Sequence, residues 1–324
     1  MIRAFAEWEE QELLMLSIPH KNTDWAPYLN EILDAYEVLV RTVADYQKVL
    51  LIAPEASDFE RFSHIENVRF AQIPTNDTWI RDYGAIDFLN GNRAASYDFT
   101  FNAWGGKFEG SLDNAVNKTL FKRLGGELIK VPLELEGGSV DFNGEGTMLT
   151  TCECLLNANR GARSREELDA RLRELFGLER IVWLSRGFIR GDDTDSHVDT
   201  LARFVAPNLV AHAACDDEND EHHAELKAMA GELKSAGLDL VPLPLPQEIK
   251  FENRRLGATY CNFIFINGAL IVPTYGDRAA DERALATLRE AVPNRDIVGV
   301  DARVFIRQNG SLHCSSQNRF KAPR

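Results

Sequence analysis

The sequence predicts an α/β fold in which five copies of one strand-strand-helix-strand unit close into a ring. Three observations carry this. Asn-Gly steps at Asn90-Gly91, Asn143-Gly144 and Asn267-Gly268 stand between short β-rich runs and read as hairpin turns. Apolar residues at three-four spacing follow each hairpin, the mark of an amphipathic helix, and one further strand follows the helix. The phrase restarts roughly every 55 to 75 residues. Units that each leave an apolar face uncovered are most simply satisfied by packing on one another in a closed ring, so residues 1–324 are expected to form one domain.

In the first unit, residues 12–19 form a buried strand through Leu13, Leu14, Met15, Leu16 and Ile18, with a hairpin partner expected upstream. Leu29, Ile32, Leu33, Tyr36, Leu39, Val40 and Val43 mark its helix, and residues 48–54 close it. The second unit has strands at 85–89 and 93–99, a helix with Leu112, Ala115, Val116, Thr119 and Leu120 on one face stopped by Gly125, and a strand at 127–131. The third has strands at 139–142 and 147–151. Its helix is the best marked, with Ser164 and Glu167 as a capping box, Leu168, Leu172, Leu175 and Phe176 facing inward, and Gly177 as the stop. Residues 180–184 close that unit. The fourth opens at His197, pairs with 209–213, continues through a helix with Leu226, Met229, Ala230 and Leu233 ended by Gly237, and closes with the Pro-interrupted edge strand 238–245. The fifth has strands at 262–266 and 269–273, a helix marked by Leu285 and Leu288, and a last strand at 296–301.

The net charge of −14 disfavours nucleic acid and anionic membranes as partners and suits a cationic ligand. No apolar run approaches the roughly 20 residues of a membrane span. Glu7, Glu9, Glu10 and Glu12 interrupt what an export signal would keep apolar, so a cytoplasmic protein is expected. The five cysteines, Cys152, Cys154, Cys215, Cys261 and Cys314, form neither a disulfide framework nor a zinc spacing. Read as part of a strand over 147–155, Cys152 and Cys154 are packing residues.

Residues 191–199, Gly-Asp-Asp-Thr-Asp-Ser-His-Val-Asp, concentrate four aspartates and one of seven histidines. Such a segment is solvated, binds a cation or does chemistry. On an extended backbone His197 and Asp199 would share a face. The alternation of Asp193, Asp195, His197 and Asp199 could suit a metal, but Val198 stands where a calcium loop from Asp193 needs glycine, and no glutamate closes it. In the ring, Asp82 precedes the second hairpin, Glu136 the third and His197 opens the fourth, while Cys314 follows the last strand, where ring closure returns to the first unit. Equivalent positions in a ring converge at one end of its axis.

Those residues suit a guanidinium, which is planar, permanently charged and rich in N-H donors that paired carboxylates satisfy. Asp82 and Asp199 would grip it and Cys314 would attack its central carbon. His197 would protonate departing ammonia and then activate water, with Glu136 orienting His197 or taking a guanidinium hydrogen bond. A bound cation would favour the thiolate. No metal or organic cofactor is required.

Several stretches carry a family resemblance: Asn76 through Gly84 (Asn-Asp-Thr-Trp-Ile-Arg-Asp-Tyr-Gly), Glu136-Gly137-Gly138, Gly144 through Thr147 with Thr150-Thr151 and Leu155-Leu156-Asn157, Asp195 through Asp199, Asn262-Phe263, Val272-Pro273, Gly276-Asp277 and His313-Cys314. From about Trp8 onward the chain resembles the agmatine deiminases of the bacterial-type peptidylarginine deiminase family, which are guanidine-modifying enzymes. The resemblance implies a five-bladed α/β propeller, hydrolysis of agmatine to N-carbamoylputrescine and ammonia, and a homodimer. It makes Cys314 the amidino-cysteine nucleophile, His197 the acid and base, Glu136 its partner, Asp82 and Asp199 the guanidinium ligands, and Trp79 a wall of the pocket. Departures from the family pattern at Ser311, after Cys314, and at Tyr83 and Ala85 bear on the substrate's tail more than on the chemistry. The alternatives are a deiminase of peptidyl-arginine or another guanidine, or a noncatalytic propeller that binds a partner. Residues 102–110, with Gly105-Gly106, read as a loop that either covers the pocket or links elements. His212, His222 and His223 read as surface or helix residues, His313 as structural, and His20 and His64 carry no signal.

Overall fold

The computed structural model describes residues 2–323 and is an α/β fold of several separate mixed sheets. Five of the sheets share one core: an antiparallel pair whose second strand pairs in parallel with a third. A parallel neighbour needs a crossover, and a helix supplies it each time. The units comprise Ile86–Asn90, Arg93–Thr100, helix Val116–Leu124 and Glu127–Glu134; then Asp141–Phe142, Thr147–Thr151, helix Arg165–Phe176 and Arg180–Leu184. Next come Ala202–Ala206, Leu209–Ala214, helix His223–Ser235 and Asp239–Pro244; then Ile264–Ile266, Ala269–Thr274, helix Arg278–Ala291 and Asp296–Asp301. The remaining unit joins the chain's two ends: Ser316–Phe320 lies antiparallel to Gln11–Ser17, which runs through helix Leu29–Ala44 to Val49–Ala53. The partner expected upstream of residue 12 instead lies about 300 residues downstream. No sheet is closed on itself among the described residues.

Local chemistry explains most boundaries. Ser164 accepts the Glu167 amide and Glu167 returns the bond, while Gly177 ends that helix at φ 62 in the left-handed region that favours glycine. Leu168, Leu172, Leu175 and Phe176 are buried on its inner face, where truncating a leucine costs about 2–5 kcal/mol. The helix after residue 112 differs from its predicted face: Leu112, Ala115 and Thr119 are exposed, whereas Asn117 is buried and binds Tyr83 and Asp98. Three strand expectations also change. Residues 137–139 and 198–200 are 3-10 turns, and Cys152–Leu155 is a helical turn capped by Thr151. His197 and Asp199 are thus brought together by a tight turn and not by an extended strand. His20, His212 and His222 are buried, bonded to Thr75, the Ala213 carbonyl and Asp220. No helix among the described residues is long and apolar enough to cross a membrane.

Candidate active site

Each unit opens with a short irregular segment before its first strand, and the chemically capable side chains stand there. Asp82 lies on the one-turn helix Ile80–Tyr83, and Glu136 leads into Gly137–Ser139. His197 and Asp199 flank Val198, Asn262 precedes Ile264–Ile266, and Cys314 precedes Ser316–Phe320. Glycine at 138 lets these segments meet: a Cβ there would come within 2.7 Å of His197 Nδ1, 2.9 Å of Asp82 Oδ1 and 3.1 Å of Asp199 Oδ2. A Cβ at Gly137 would lie 2.1 Å from the Arg81 carbonyl oxygen. Glu136-Gly137-Gly138 is therefore a packing requirement of the site.

Around this point the polar atoms are unevenly satisfied. Cys314 Sγ lies 3.2 Å from Asn262 Nδ2 and 3.7 Å from Asp199 Oδ2. His197 Nδ1 is 3.6 Å from Asp82 Oδ1 and Nε2 is 3.9 Å from Glu136 Oε2. Neither ring nitrogen, nor Asp199 Oδ1, has a hydrogen-bond partner within the chain, although all are buried. Buried polar atoms left open in this way need an explanation, and a polar ligand that gives an N-H to Asp199 Oδ1 accounts for the open carboxylate oxygen.

Charge completes the description. Burial and the charges of Asp199 and Asp82 push the Cys314 thiol well above its ordinary range. Burial would neutralise His197, but the Asp82 carboxylate and the neighbouring Cys154 and Glu136 groups outweigh it and hold the imidazole well above its usual value. Asp82 is raised to about 6 by burial, with Asp199 and Glu136 adding to the rise, against the His197 charge and the Trp104 hydrogen bond. Burial also acts to raise Asp199 and Glu136. His313 outweighs it at Asp199, His197 and Arg160 outweigh it at Glu136, and both stay below the ordinary carboxylate range.

Several participants went unread in the sequence. Asn262 stands in the sequence only as part of a motif, yet its Oδ1 accepts the backbone N-H groups of His313 and Cys314. Trp104, in the 102–110 stretch, donates Nε1 to Asp82 Oδ2 at 2.9 Å. Ala103 and Trp104 hold φ 55, and Gly105 holds φ 87 where a Cβ would strike Asn159, so strained backbone keeps the indole over the site. Lys107 ties the same stretch to the Asp193 carbonyl and to Asp195. Arg160, fully buried, donates Nε to both Glu136 oxygens at 3.0 and 2.8 Å and NH1 to Asp195 Oδ2 at 2.6 Å. The aspartate-rich stretch is divided between tasks: Asp192 binds Thr194 and Ser196, Asp193 accepts Asn309, Asp195 holds Arg160, and Asp199 faces the site.

Cys154 also belongs to the site. It is no strand residue; its Sγ, Glu136 and His197 form a buried trio with ligand atoms within 4.8 Å of one another. The trio does not fit a metal ion well, because Arg160 already supplies a cation to both Glu136 oxygens. Arg81 turns away from its neighbour Asp82 and binds Gln317 and Asn318.

Cys314 lines a small, partly open cavity of about 30 Å³. Trp79, Trp104 and Phe108 form its apolar sides, while Asp24, Asp77 and Asp193 add carboxylates beyond Asp82. Burial raises Asp77 to about 6. Ser311 is buried near Tyr275 and does not line this cavity; Gly310 does, and a Cβ there would strike Trp79.

A family model described as Porphyromonas-type peptidyl-arginine deiminase matches residues 3–319. A C. jejuni agmatine deiminase, solved as a cysteine-to-serine variant with substrate bound, is 58% identical with a TM-score of 0.98, covering 100% of this chain and 98% of that one. An agmatine deiminase of Ectopseudomonas mendocina is 30% identical over 96% of this chain and 94% of its own length. The solved agmatine deiminase of Enterococcus faecalis is 26% identical with a TM-score of 0.91, covering 99% of this chain and 96% of that one.

Proposed function

We propose, from the premise that this chain belongs to the Porphyromonas-type peptidyl-arginine deiminase family, that it is a hydrolase of linear amidines. It converts agmatine to N-carbamoylputrescine and ammonia. One observation carries the reading: the Cys314 sulfur stands beside Asp199, whose Oδ1 is buried without a hydrogen-bond partner, and lines a cavity that Asp24, Asp77, Asp82 and Asp193 also line. Relatives with the same full-length match are named agmatine deiminases.

In the mechanism, Asp82 and Asp199 Oδ1 take guanidinium N-H groups and the substrate's charge offsets the anions that hold Cys314 protonated. The thiol loses its proton to solvent and the thiolate attacks the guanidinium carbon. The imidazolium of His197, sustained by Asp82 and Glu136, gives its proton to the departing nitrogen. Ammonia leaves, and a thiouronium remains on Cys314. Neutral His197 then takes a proton from water, hydroxide adds to the same carbon, and expulsion of the thiolate yields the ureido product. Asn262 Nδ2 supports the sulfur anion at both expulsion and attack. Trp79 and Trp104 wall the pocket.

Asp24, Asp77 and Asp193 give the far end of the cavity a charge that suits the second cation of agmatine better than a peptide backbone. This favours agmatine over peptidyl-arginine. The same proposal includes residues 1–324 as one five-bladed propeller, supported by the five repeated sheet cores and the pairing of the chain's ends. It also includes a cytoplasmic location and a homodimer. In the dimer, a neighbour shields Phe108, which lines the cavity, and Leu112; the two are 47% and 43% exposed. Ureido-product formation with agmatine, arginine and a blocked arginine peptide, each against Cys314→Ala, tests the reading. Turnover of agmatine alone, abolished by the substitution, is expected; turnover of the peptide instead would overturn the substrate.

A further inference from the structure

His313 and Glu7 form a chain behind the guanidinium site that the mechanism above does not use. His313 Nδ1 lies 2.6 Å from Asp199 Oδ2, and its Nε2 lies 2.8 Å from Glu7 Oε2. Glu7 is fixed in turn: Oε2 accepts Arg203 NH2 at 2.5 Å and Oε1 accepts the Phe265 amide at 2.8 Å. Arg203 is itself held by Asp141 and the Phe263 carbonyl. The His313 and Asp199 side chains are 3% and 0% exposed, and Glu7 is 11% exposed. We propose that His313, anchored by Glu7, is a positioning residue that aims the Asp199 carboxylate at the substrate guanidinium.

A carboxylate oxygen only accepts hydrogen bonds. Both ring nitrogens of His313 face such oxygens, so both must donate, and a ring that donates twice carries positive charge. The bond to Oδ2 fixes the rotation of Asp199 and leaves Oδ1 as its unpartnered oxygen. The charge also separates the two guanidinium ligands. Asp82 and Asp199 are both buried, but Asp82 is raised to about 6, whereas Asp199, with His313 beside it, is held below the usual range. From the other elements Asp199 faces Asp82, Cys314 and Cys261, and the guanidiniums of Arg81 and Arg203; His197 adjoins it on its own segment. Among these, His313 makes the one direct ring-to-carboxylate bond.

This inference rests on the guanidine-hydrolase reading, and the test separates the two. Two quantities are measured across pH for the full-length protein, His313→Leu, His313→Asn and Glu7→Gln. One is kcat/KM for agmatine, and the other is the rate of Cys314 alkylation by a small haloamidine, with iodoacetamide as the uncharged control. His313→Leu should lose about tenfold or more in both amidine readouts, as expected for a lost bond to a charged group, while iodoacetamide labelling stays near wild type. The acidic limb set by Asp82 near 6 should move to higher pH, since Asp199 then requires deprotonation as well. His313→Asn, which keeps one N-H toward Asp199, should recover part of the loss, and Glu7→Gln should show a smaller version of it. Equal losses with haloamidine and iodoacetamide, or an unmoved limb, would make His313 a structural residue and overturn the proposal; should His313→Leu not fold, the other two variants decide by the same criteria. A wild-type protein that ignores agmatine but shows the haloamidine pattern would remove the substrate reading and leave this one standing.

Discussion

Trp104→Phe isolates a single bond at the site. The phenyl ring retains the edge contacts to Phe101 and Phe108, and only the indole N-H to Asp82 Oδ2, 2.9 Å long, is lost. Both side chains are buried, so solvent screens the bond little. A hydrogen bond to a charged group is worth about 1.5–3 kcal/mol. It supports only the ionised form of Asp82, whose pKa is already raised to about 6. At about 1.4 kcal/mol per pKa unit, the lower figure lifts Asp82 by about one further unit. Gripping a guanidinium requires the carboxylate, which disappears as pH falls through that pKa. The acidic limb of kcat/KM for agmatine should therefore move up by about one unit. The variant should lose about tenfold at low pH and approach wild type at high pH. Colorimetric assay of ureido product from about pH 5 to about pH 9 reads both limbs. A loss that is uniform across pH, or a limb that does not move, would refute the role given to this bond.

Four further outcomes follow from the geometry. Glu136→Gln removes a counter-charge from His197, so its imidazolium should deprotonate at lower pH and the alkaline limb of kcat should shift down, as a pH profile would show. The same variant leaves Arg160 with Asp195 alone as a charge partner and should lose about 3 kcal/mol in denaturant unfolding. Gly138→Ala places a methyl within 2.7 Å of His197 Nδ1, and should abolish turnover while circular dichroism stays native; retained activity would contradict the packing of the site. Exhaustive chelation should leave kcat unchanged, and a loss restored by added zinc would turn the Glu136, Cys154 and His197 trio into a metal site.

What was legible in the sequence was mostly local. A capping box at Ser164 and Glu167, positive-φ glycines at Gly125 and Gly177, and the Asn-Gly hairpins report on backbone within a few residues of themselves. The convergence of Asp82, Glu136, His197 and Cys314 was legible for a different reason, because repetition converts equal positions in a unit into neighbouring positions in space. The fifth position had no reader: Asn262 is uncharged and drew no notice, although it touches the sulfur. Trp104 reaches Asp82 through a strained turn that only Gly105-Gly106 hints at. Cys154 reads as a strand residue because a four-residue helical turn has too few residues to show a period; the Thr151 cap is the available signal. Glu7 counted merely as one acid in a charged N-terminal segment, yet it lies 2.8 Å from His313, a residue 306 positions away. Contacts of that separation leave no trace in spacing.

The central claim is that Cys314 carries the guanidinium carbon through a covalent intermediate. Rapid acid quench of the protein turning over agmatine, followed by peptide mass spectrometry, tests it most directly. The Cys314 peptide should gain the mass of agmatine less ammonia, transiently in the wild type and not at all in Cys314→Ala. Steady turnover with that peptide unmodified at every time point, or full activity in Cys314→Ala, would contradict the account.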